Sequence, residues 1–275
     1  MEINLLSGAL GAEISGIDLK DSSKENCNKI NNLMLEHKVV FFRNQNISAE
    51  EQINLGKFFG NLEKHVYVKG RDYYPEIIRI IKSPEEKNQW GETWHTDVSY
   101  NPKPTKVIIL RSIKIPPVGG DTMFSNMEIA YETLDEKIKK KIENKKAVHS
   151  SLGAAAFVEN YSEMEGNGNT EEYTNIHPVV RTHPETNKKI LYVNSMYTKK
   201  IIDMDKNESD DILKKIFSHQ ERLDFTCRFK WTENAIAIWD NRSTLHQGLT
   251  DFFPGRGLGY ERIMDRIAIE GDHPQ

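Results

Sequence analysis

The chain has 275 residues, of which 37% are hydrophobic and 28% charged, so it carries enough apolar side chain for a core and is not a wholly disordered polymer. Lys and Arg number 37 against 41 Asp and Glu, a net charge of −4 with no basic block, which argues against a nucleic-acid binder. No apolar run nears the ~18 residues of a membrane span. Two isolated cysteines, Cys27 and Cys227, form neither a CxxC pair nor a disulfide framework. With no basic, apolar leader at Met1-Glu2-Ile3-Asn4, the expected compartment is the cytoplasm.

Residues 3–19 alternate apolar and polar positions between glycines and read as short strands and turns. Ser23 to His37 predicts a helix with Ile30, Leu33, Met34 and His37 on one face, followed by a buried strand, Val39 to Phe42. Ser48-Ala49-Glu50-Glu51 is a capping box, and the helix it starts runs through Ile53 to Phe58 and stops at Gly60. Strands are expected at Ile77 to Ile81 and Lys106 to Ser112. A surface helix is expected at Met127 to Glu143, with Ala130, Leu134, Ile138 and Ile142 at four-residue spacing; its Lys139-Lys140-Lys141 run reads as a solvated face. Residues 151–175 lack periodicity and read as a mobile loop or lid. An amphipathic helix, Glu208 to His219, precedes strands at Phe225 to Trp231 and Ala235 to Trp239. Helices fall between strand groups and do not alternate with every strand. That favours a mainly β fold, a sandwich core with helical insertions, in a single domain over residues 1–275 with no linker.

Within this frame, Trp94-His95-Thr96-Asp97 is the sharpest chemical signal. In an extended segment residues two apart point the same way, so His95 and Asp97 present an imidazole and a carboxylate together. His246, just after the strand ending at Trp239, is the best third ligand. Two histidines and one carboxylate with open positions suit a non-haem Fe(II) oxygenase, although the same set also holds Zn, Co or Ni. In Glu261 to Ile269, Arg262, Met264 and Arg266 share one strand face. A guanidinium fork matches a carboxylate bidentately, so one arginine could take a dicarboxylic cosubstrate and the other an anionic substrate. Gly119-Gly120 makes a tight turn into a strand bearing Thr122, a hydroxyl within reach of a ligand carboxylate.

These motifs together resemble the taurine dioxygenase family of Fe(II)- and 2-oxoglutarate-dependent oxygenases, which also contains the aryloxyalkanoate dioxygenases. The resemblance spans nearly the whole chain, from Gly8-Ala9-Leu10-Gly11-Ala12-Glu13-Ile14 and Phe58-Phe59-Gly60, through Trp94-His95-Thr96-Asp97 and Gly119-Gly120-Asp121-Thr122. It continues through residues 177–184 and Leu191-Tyr192-Val193-Asn194 to Trp239-Asp240-Asn241-Arg242 and Arg262-Ile263-Met264-Asp265-Arg266. It implies a double-stranded β-helix (jelly-roll, clavaminate synthase-like) fold, with His95, Asp97 and His246 as iron ligands. It further implies Thr122 and Arg262 at the 2-oxoglutarate carboxylates, O2 as second cosubstrate, and His65, Tyr197 and Arg266 at the substrate.

The implied reaction hydroxylates a C–H bond of a small anionic molecule, such as a sulfonate, sulfate ester or carboxylate, and gives succinate and carbon dioxide. No nucleic-acid or membrane partner is expected, and a homo-oligomer is common for such enzymes. Two departures stand out. Gly91 replaces an asparagine that contacts taurine in the taurine enzyme, and extra residues before Arg262 leave Arg256 nearer the usual spacing from the distal histidine. Arg262 is preferred because its four-residue step to Arg266 is kept. A larger aryloxy or amino acid substrate is the alternative, and a metal-holding jelly-roll without turnover the remote one.

Overall fold

The computed structural model describes residues 1–86, 88, 91–252 and 259–275. A hairpin opens the chain, β1 (Glu2–Leu5) against β2 (Ala12–Ser15). Helix α1 (Lys24–His37) is capped by Ser23, whose hydroxyl accepts from Asn26 N, and it buries Cys27, Ile30, Leu33 and Met34. All four side chains of β3 (Val39–Phe42) are buried, because both faces of its sheet are covered. The expected capping box forms at the start of α2 (Ala49–Phe59), where Ser48 and Glu51 exchange side-chain-to-backbone hydrogen bonds. Strands β4 (Leu62–Glu63), β5 (Ile78–Lys82), β6 (Val107–Lys114) and β7 (Thr122–Asn126) follow.

The single helix expected over 127–143 is two, α3 (Met127–Glu132) and α4 (Glu136–Ile142). Asp135 divides them: its carboxylate accepts from Lys137 N and Ile138 N, which starts a new helix where the old one would have continued. After β8 (Lys146–Ser150), the span expected as a patternless loop contains α5 (Ala154–Glu159), an alanine-rich segment too short to show a period. Next come β9 (Thr174–Pro178), β10 (Val180–Thr182), β11 (Lys189–Leu191) and β12 (Thr198–Ile201). Helix α6 (Lys206–Gln220) is capped by Asp205. A 3-10 turn, Leu223–Phe225, takes the start of the strand expected from 225 and leaves β13 (Thr226–Phe229). The chain then forms β14 (Ile236–Asp240), β15 (Thr244–Gly248) and β16 (Arg262–Ile269).

The main sheet runs β1-β2-β3-β14-β6-β16-β4, with β5 also on β16, and a smaller sheet runs β13-β7-β15. Period-two alternation decides what each strand gives to each layer. Val40, Phe42, Ile109, Ile238 and Ile267 pack under α1 and α2. Their neighbours Val39, Phe41, Ile108, Trp239 and Met264 turn inward, against Phe124 and Phe229 of the smaller sheet. Phe41 stacks on Phe229 at 4.0 Å between centroids, so the two sheets close on an aromatic core. On β16 the same alternation sends Arg262, Met264 and Arg266 inward and Asp265 outward.

A buried polar brace holds the turn between β14 and β15. Asp240 accepts from His183 Nε2 at 2.7 Å and from Arg242 Nε and Nη2 at 2.9 and 2.7 Å. Burial alone would raise the Asp240 carboxyl, but Arg242 and His183 more than reverse this and hold it well below the usual carboxylate range. A depressed folded-state pKa contributes stability above the unfolded value of about 3.9, and that stability is lost as pH falls through the folded value. Asp240→Asn is therefore expected to lower stability by about 3–5 kcal/mol near neutral pH, with a difference from wild type that shrinks below about pH 4. Urea unfolding at pH 7 and pH 3.5 checks this; equal differences at both would refute it.

Candidate active site

The site is assembled by one long-range backbone pairing. His95 N donates to His246 O at 3.1 Å and His246 N to His95 O at 2.9 Å, an isolated antiparallel bridge between the loop after β5 and strand β15. Residues paired this way project to the same side of the ladder, and the two imidazole centroids lie 4.2 Å apart. Asp97 joins them. Its Oδ1 is 3.3 Å from His95 Nε2 and its Oδ2 is 3.8 Å from His246 Nε2, and one donor atom from each residue falls within 4.8 Å of the others. Two imidazoles and a carboxylate at this spacing fit one divalent cation.

The ring orientations suit a metal. His95 Nδ1 lies 2.6 Å from Thr93 O; a carbonyl can only accept, so Nδ1 carries the proton and Nε2 offers its lone pair. His246 is set by packing instead, stacked with Phe124 and edge-on to Trp239 at 4.9 Å, while its buried Nδ1 has no partner among the described residues. Burial pushes the His246 imidazole down to about 3, which keeps it neutral and able to ligate. Burial by itself would raise the Asp97 carboxyl, but Arg266 and then the two imidazoles hold it well below the usual range.

Asn241 clamps the backbone beneath the triad. Its side chain accepts from Asp97 N at 3.1 Å and donates to Asp97 O at 3.3 Å and Thr105 O at 2.8 Å. The Thr96 hydroxyl lies 2.5 Å from Asn241 O and 3.0 Å from Thr244 O at the start of β15, both of them acceptors. Val98 follows with φ of 47°, a region a β-branched residue rarely occupies, and its buried side chain is thereby turned into the adjoining cavity.

Two cavities meet at the triad. The smaller, about 60 Å³, reaches from His95, Asp97 and His246 to Thr122 and Arg262. Arg262 Nε donates to Gly120 O at 3.0 Å, and burial pushes its guanidinium down to about 10, as expected of a cation short of a counter-ion. Thr122 Oγ1 accepts from Trp231 Nε1 at 2.9 Å, so its own proton is left to donate. Gly120 is required here: its φ is 72°, and a Cβ would sit 3.2 Å from Arg262 Cδ. Together the Arg262 guanidinium and the Thr122 hydroxyl could hold a carboxylate.

The larger cavity is about 300 Å³. Its wall mixes polar side chains, among them His65, Glu92, Tyr197 and Arg266, with apolar ones that include Ile78, Ile80, Val98, Phe157 and Met196. Arg266 Nη2 donates to Asp97 Oδ2 at 3.0 Å. His65 Nδ1 accepts from Tyr67 N and Val68 N, both at 3.1 Å, and burial pushes the ring down to about 3, so the neutral tautomer carries its proton on Nε2 and is a donor there. Tyr197 meets His95 edge to face at 6.4 Å, and burial raises its phenol. Gly91 lines both cavities without a side chain. The eight residues singled out from sequence thus converge on one place, while Arg256 lies outside the described residues. Sequence reasoning passed over Asn241, Thr93 and the wall supplied by α5. Of these, Asn241 stood inside a quoted motif with no role attached.

A family model described as taurine catabolism dioxygenase TauD, TfdA family matches residues 2–267. An alkylsulfatase from Acinetobacter baylyi is 33% identical over 280 residues, 99% of this chain and 86% of that protein. A putative alpha-ketoglutarate-dependent sulfonate dioxygenase from Schizosaccharomyces pombe is 31% identical over 285 residues, 99% of this chain and 70% of that one. Among solved structures, a putative alpha-ketoglutarate-dependent taurine dioxygenase from Burkholderia xenovorans superposes with a TM-score of 0.84 at 32% identity, covering 99% of this chain and 93% of that chain.

Proposed function

The chain belongs to the taurine catabolism dioxygenase TauD, TfdA family, and from that premise we propose which residues carry its chemistry and what they act on. It is an Fe(II)- and 2-oxoglutarate-dependent dioxygenase with the jelly-roll fold of that family. We assign His95, Asp97 and His246 to the iron; the bare Nε2 of His95 and the neutral His246 support this. When bound, the metal with 2-oxoglutarate and O2 supplies the oxidation, converting a substrate C–H to C–OH as 2-oxoglutarate becomes succinate and carbon dioxide. Arg262 and Thr122 take the distal carboxylate of 2-oxoglutarate. Arg266 and the Nε2–H of His65 take the anionic head of the substrate, with Tyr197 beside them. The apolar wall excludes water from the reacting carbon, and no side chain has to act as a general base.

The substrate is a small organic anion with an apolar body, foremost a sulfate ester or sulfonate. The observation that carries this is the Arg266 guanidinium and the His65 donor in the wall of a cavity rich in apolar side chains. The alkylsulfatase and sulfonate dioxygenase relatives support the sulfur oxyanion. Residues 151–175 act as the lid of one oxygenase domain spanning residues 1–275: α5 sets Phe157 and Val158 into the cavity wall. No helix is long and apolar enough to cross a membrane among the described residues. Two free, buried cysteines support a reducing compartment, the cytoplasm.

Chain length tests the reading. A buried methylene is worth about 0.8 kcal/mol, and two are enough for roughly tenfold. Succinate formation with a series of alkyl sulfates should show kcat/KM rising at least tenfold from ethyl to hexyl sulfate, with taurine poor. A flat series or a preference for taurine would overturn the apolar-bodied substrate. Preference for an aryloxyacetate would instead favour the larger-substrate reading, which the side-chain-free Gly91 supports.

A further inference from the structure

The turn that carries His65 divides its backbone groups between two partners. Its amides serve the ring: Tyr67 N and Val68 N both donate to His65 Nδ1 at 3.1 Å. Its carbonyls serve the lid. Asn167 Nδ2 donates to Val66 O at 2.8 Å and to His65 O at 3.2 Å, and Asn169 Nδ2 donates to Val66 O at 3.1 Å. Asn167 N donates to Tyr67 O at 2.8 Å. Three successive carbonyls are therefore taken by donors from one short stretch of the lid. Residues 65–68 lie between β4 and β5 in no strand of their own, so these donors do for the turn what a neighbouring strand would do.

Further contacts tie the same two segments. Lys69 N donates to Glu165 O at 2.8 Å, and Val68 and Gly166 form an isolated antiparallel bridge. The Tyr67 hydroxyl donates to Glu171 O at 2.8 Å and lies 2.5 Å from Ser151 Oγ, where the lid begins. The Asn167 side chain is itself fixed at both ends, because its Oδ1 accepts from Asn169 N at 3.0 Å while its Nδ2 donates to the turn. Beneath the turn, Tyr67 and Val68 pack with Val158, Tyr161 and Met164 of the lid.

We propose that Asn167 is a positioning residue for His65. It holds the carbonyls of the turn, so that the amides on the other side fix Nδ1 and aim the Nε2–H into the cavity. The ordered lid and the anion-binding ring then form one unit: an open lid leaves the substrate's head group short of a donor, and closure completes the site. The inference rests on the assignment of His65 to that head group.

The experiment compares wild type, Asn167→Ala, His65→Ala and the double variant. Succinate formation is measured with hexyl sulfate, and amide hydrogen exchange is measured on the same proteins without substrate. A neutral hydrogen bond is worth roughly two- to tenfold, and Asn167→Ala removes two, so KM for hexyl sulfate is expected to rise about fivefold or more. Its kcat, KM for 2-oxoglutarate and substrate-independent conversion of 2-oxoglutarate should each stay within about twofold, since the triad and Arg262 are untouched. Exchange of the Tyr67 and Val68 amides should quicken by about the same factor as KM. Because Asn167 acts through His65, the double variant should have the KM of His65→Ala alone. Asn169→Ala, which removes one bond to the same carbonyls, serves if Asn167→Ala does not fold, with a smaller rise expected. A raised KM in His65→Ala with an unchanged one in Asn167→Ala would overturn the proposal and leave the assignment of His65 standing. An unchanged KM in His65→Ala would overturn that assignment and the proposal with it. Additive effects in the double variant, unchanged exchange at Tyr67 and Val68, or an equal rise in KM for 2-oxoglutarate would each overturn it too, and assign Asn167 to general packing of the lid.

Discussion

Asp97→Ala is expected to cut succinate formation by well over a hundredfold and to weaken Fe(II) binding while the fold is retained. The main-chain bridge between His95 and His246 does not involve the Asp97 side chain, so both imidazoles keep their places. What disappears is the vertex that lies within reach of both rings. Loss of an outer-shell partner of a metal ligand typically costs about 10–100-fold, and loss of a ligand itself should exceed that. The same carboxylate is also the counter-ion of Arg266, which is 8% exposed. Breaking a buried pair on one side costs about 3–5 kcal/mol, so a lower Tm accompanies the loss of activity. Asp97→Asn separates the two effects, since it keeps a hydrogen-bond acceptor for Arg266 and loses the ligating charge. Anaerobic Fe(II) titration and succinate assays on both variants decide the matter. A folded alanine variant with turnover within tenfold of wild type would refute the metal assignment.

The parts of this site that were legible in the sequence are those set by local periodicity. Alternation put Arg262 and Arg266 on one strand face, and the two-residue step put His95 and Asp97 together; the capping box at Ser48 and the all-apolar run of β3 were legible for the same reason. The pairing of His95 with His246 joins residues far apart in sequence, and no local pattern encodes it. Asn241 was opaque because its work is done on backbone atoms of Asp97 and Thr105, which leave no trace in residue spacing. The break at Asp135 shows the opposite failure: the four-residue apolar spacing continues across residues 127–143, yet a capping carboxylate in the middle outweighs it. Helix α5 was missed because six residues cannot display a 3.6-residue period.

Arg262→Met and Arg266→Met are expected to separate cosubstrate from substrate. The two side chains leave the same face of β16 four residues apart, ~13 Å along the strand, so they reach different parts of the site. Arg262 sits beside Gly120 and Thr122 in the small cavity only, whereas Arg266 sits beside Asp97 and reaches both the small and the large one. A hydrogen bond to a charged group is worth about 1.5–3 kcal/mol, which is roughly ten- to hundredfold in an affinity. Arg262→Met should therefore raise KM for 2-oxoglutarate by that factor and leave substrate KM within about threefold. Arg266→Met should do the reverse. Its 3.0 Å contact with Asp97 adds a second expectation. Substrate arriving at Arg266 must compete with Asp97 for the same guanidinium, so occupancy of the substrate site changes the hydrogen bonding of a metal ligand. Arg266→Met should accordingly keep the slow, substrate-independent conversion of 2-oxoglutarate to succinate while losing its acceleration by substrate. Measuring succinate with and without an alkyl sulfate in both variants tests the division of labour. Equal losses in both KM values for either variant would mean that the two arginines act as one binding unit.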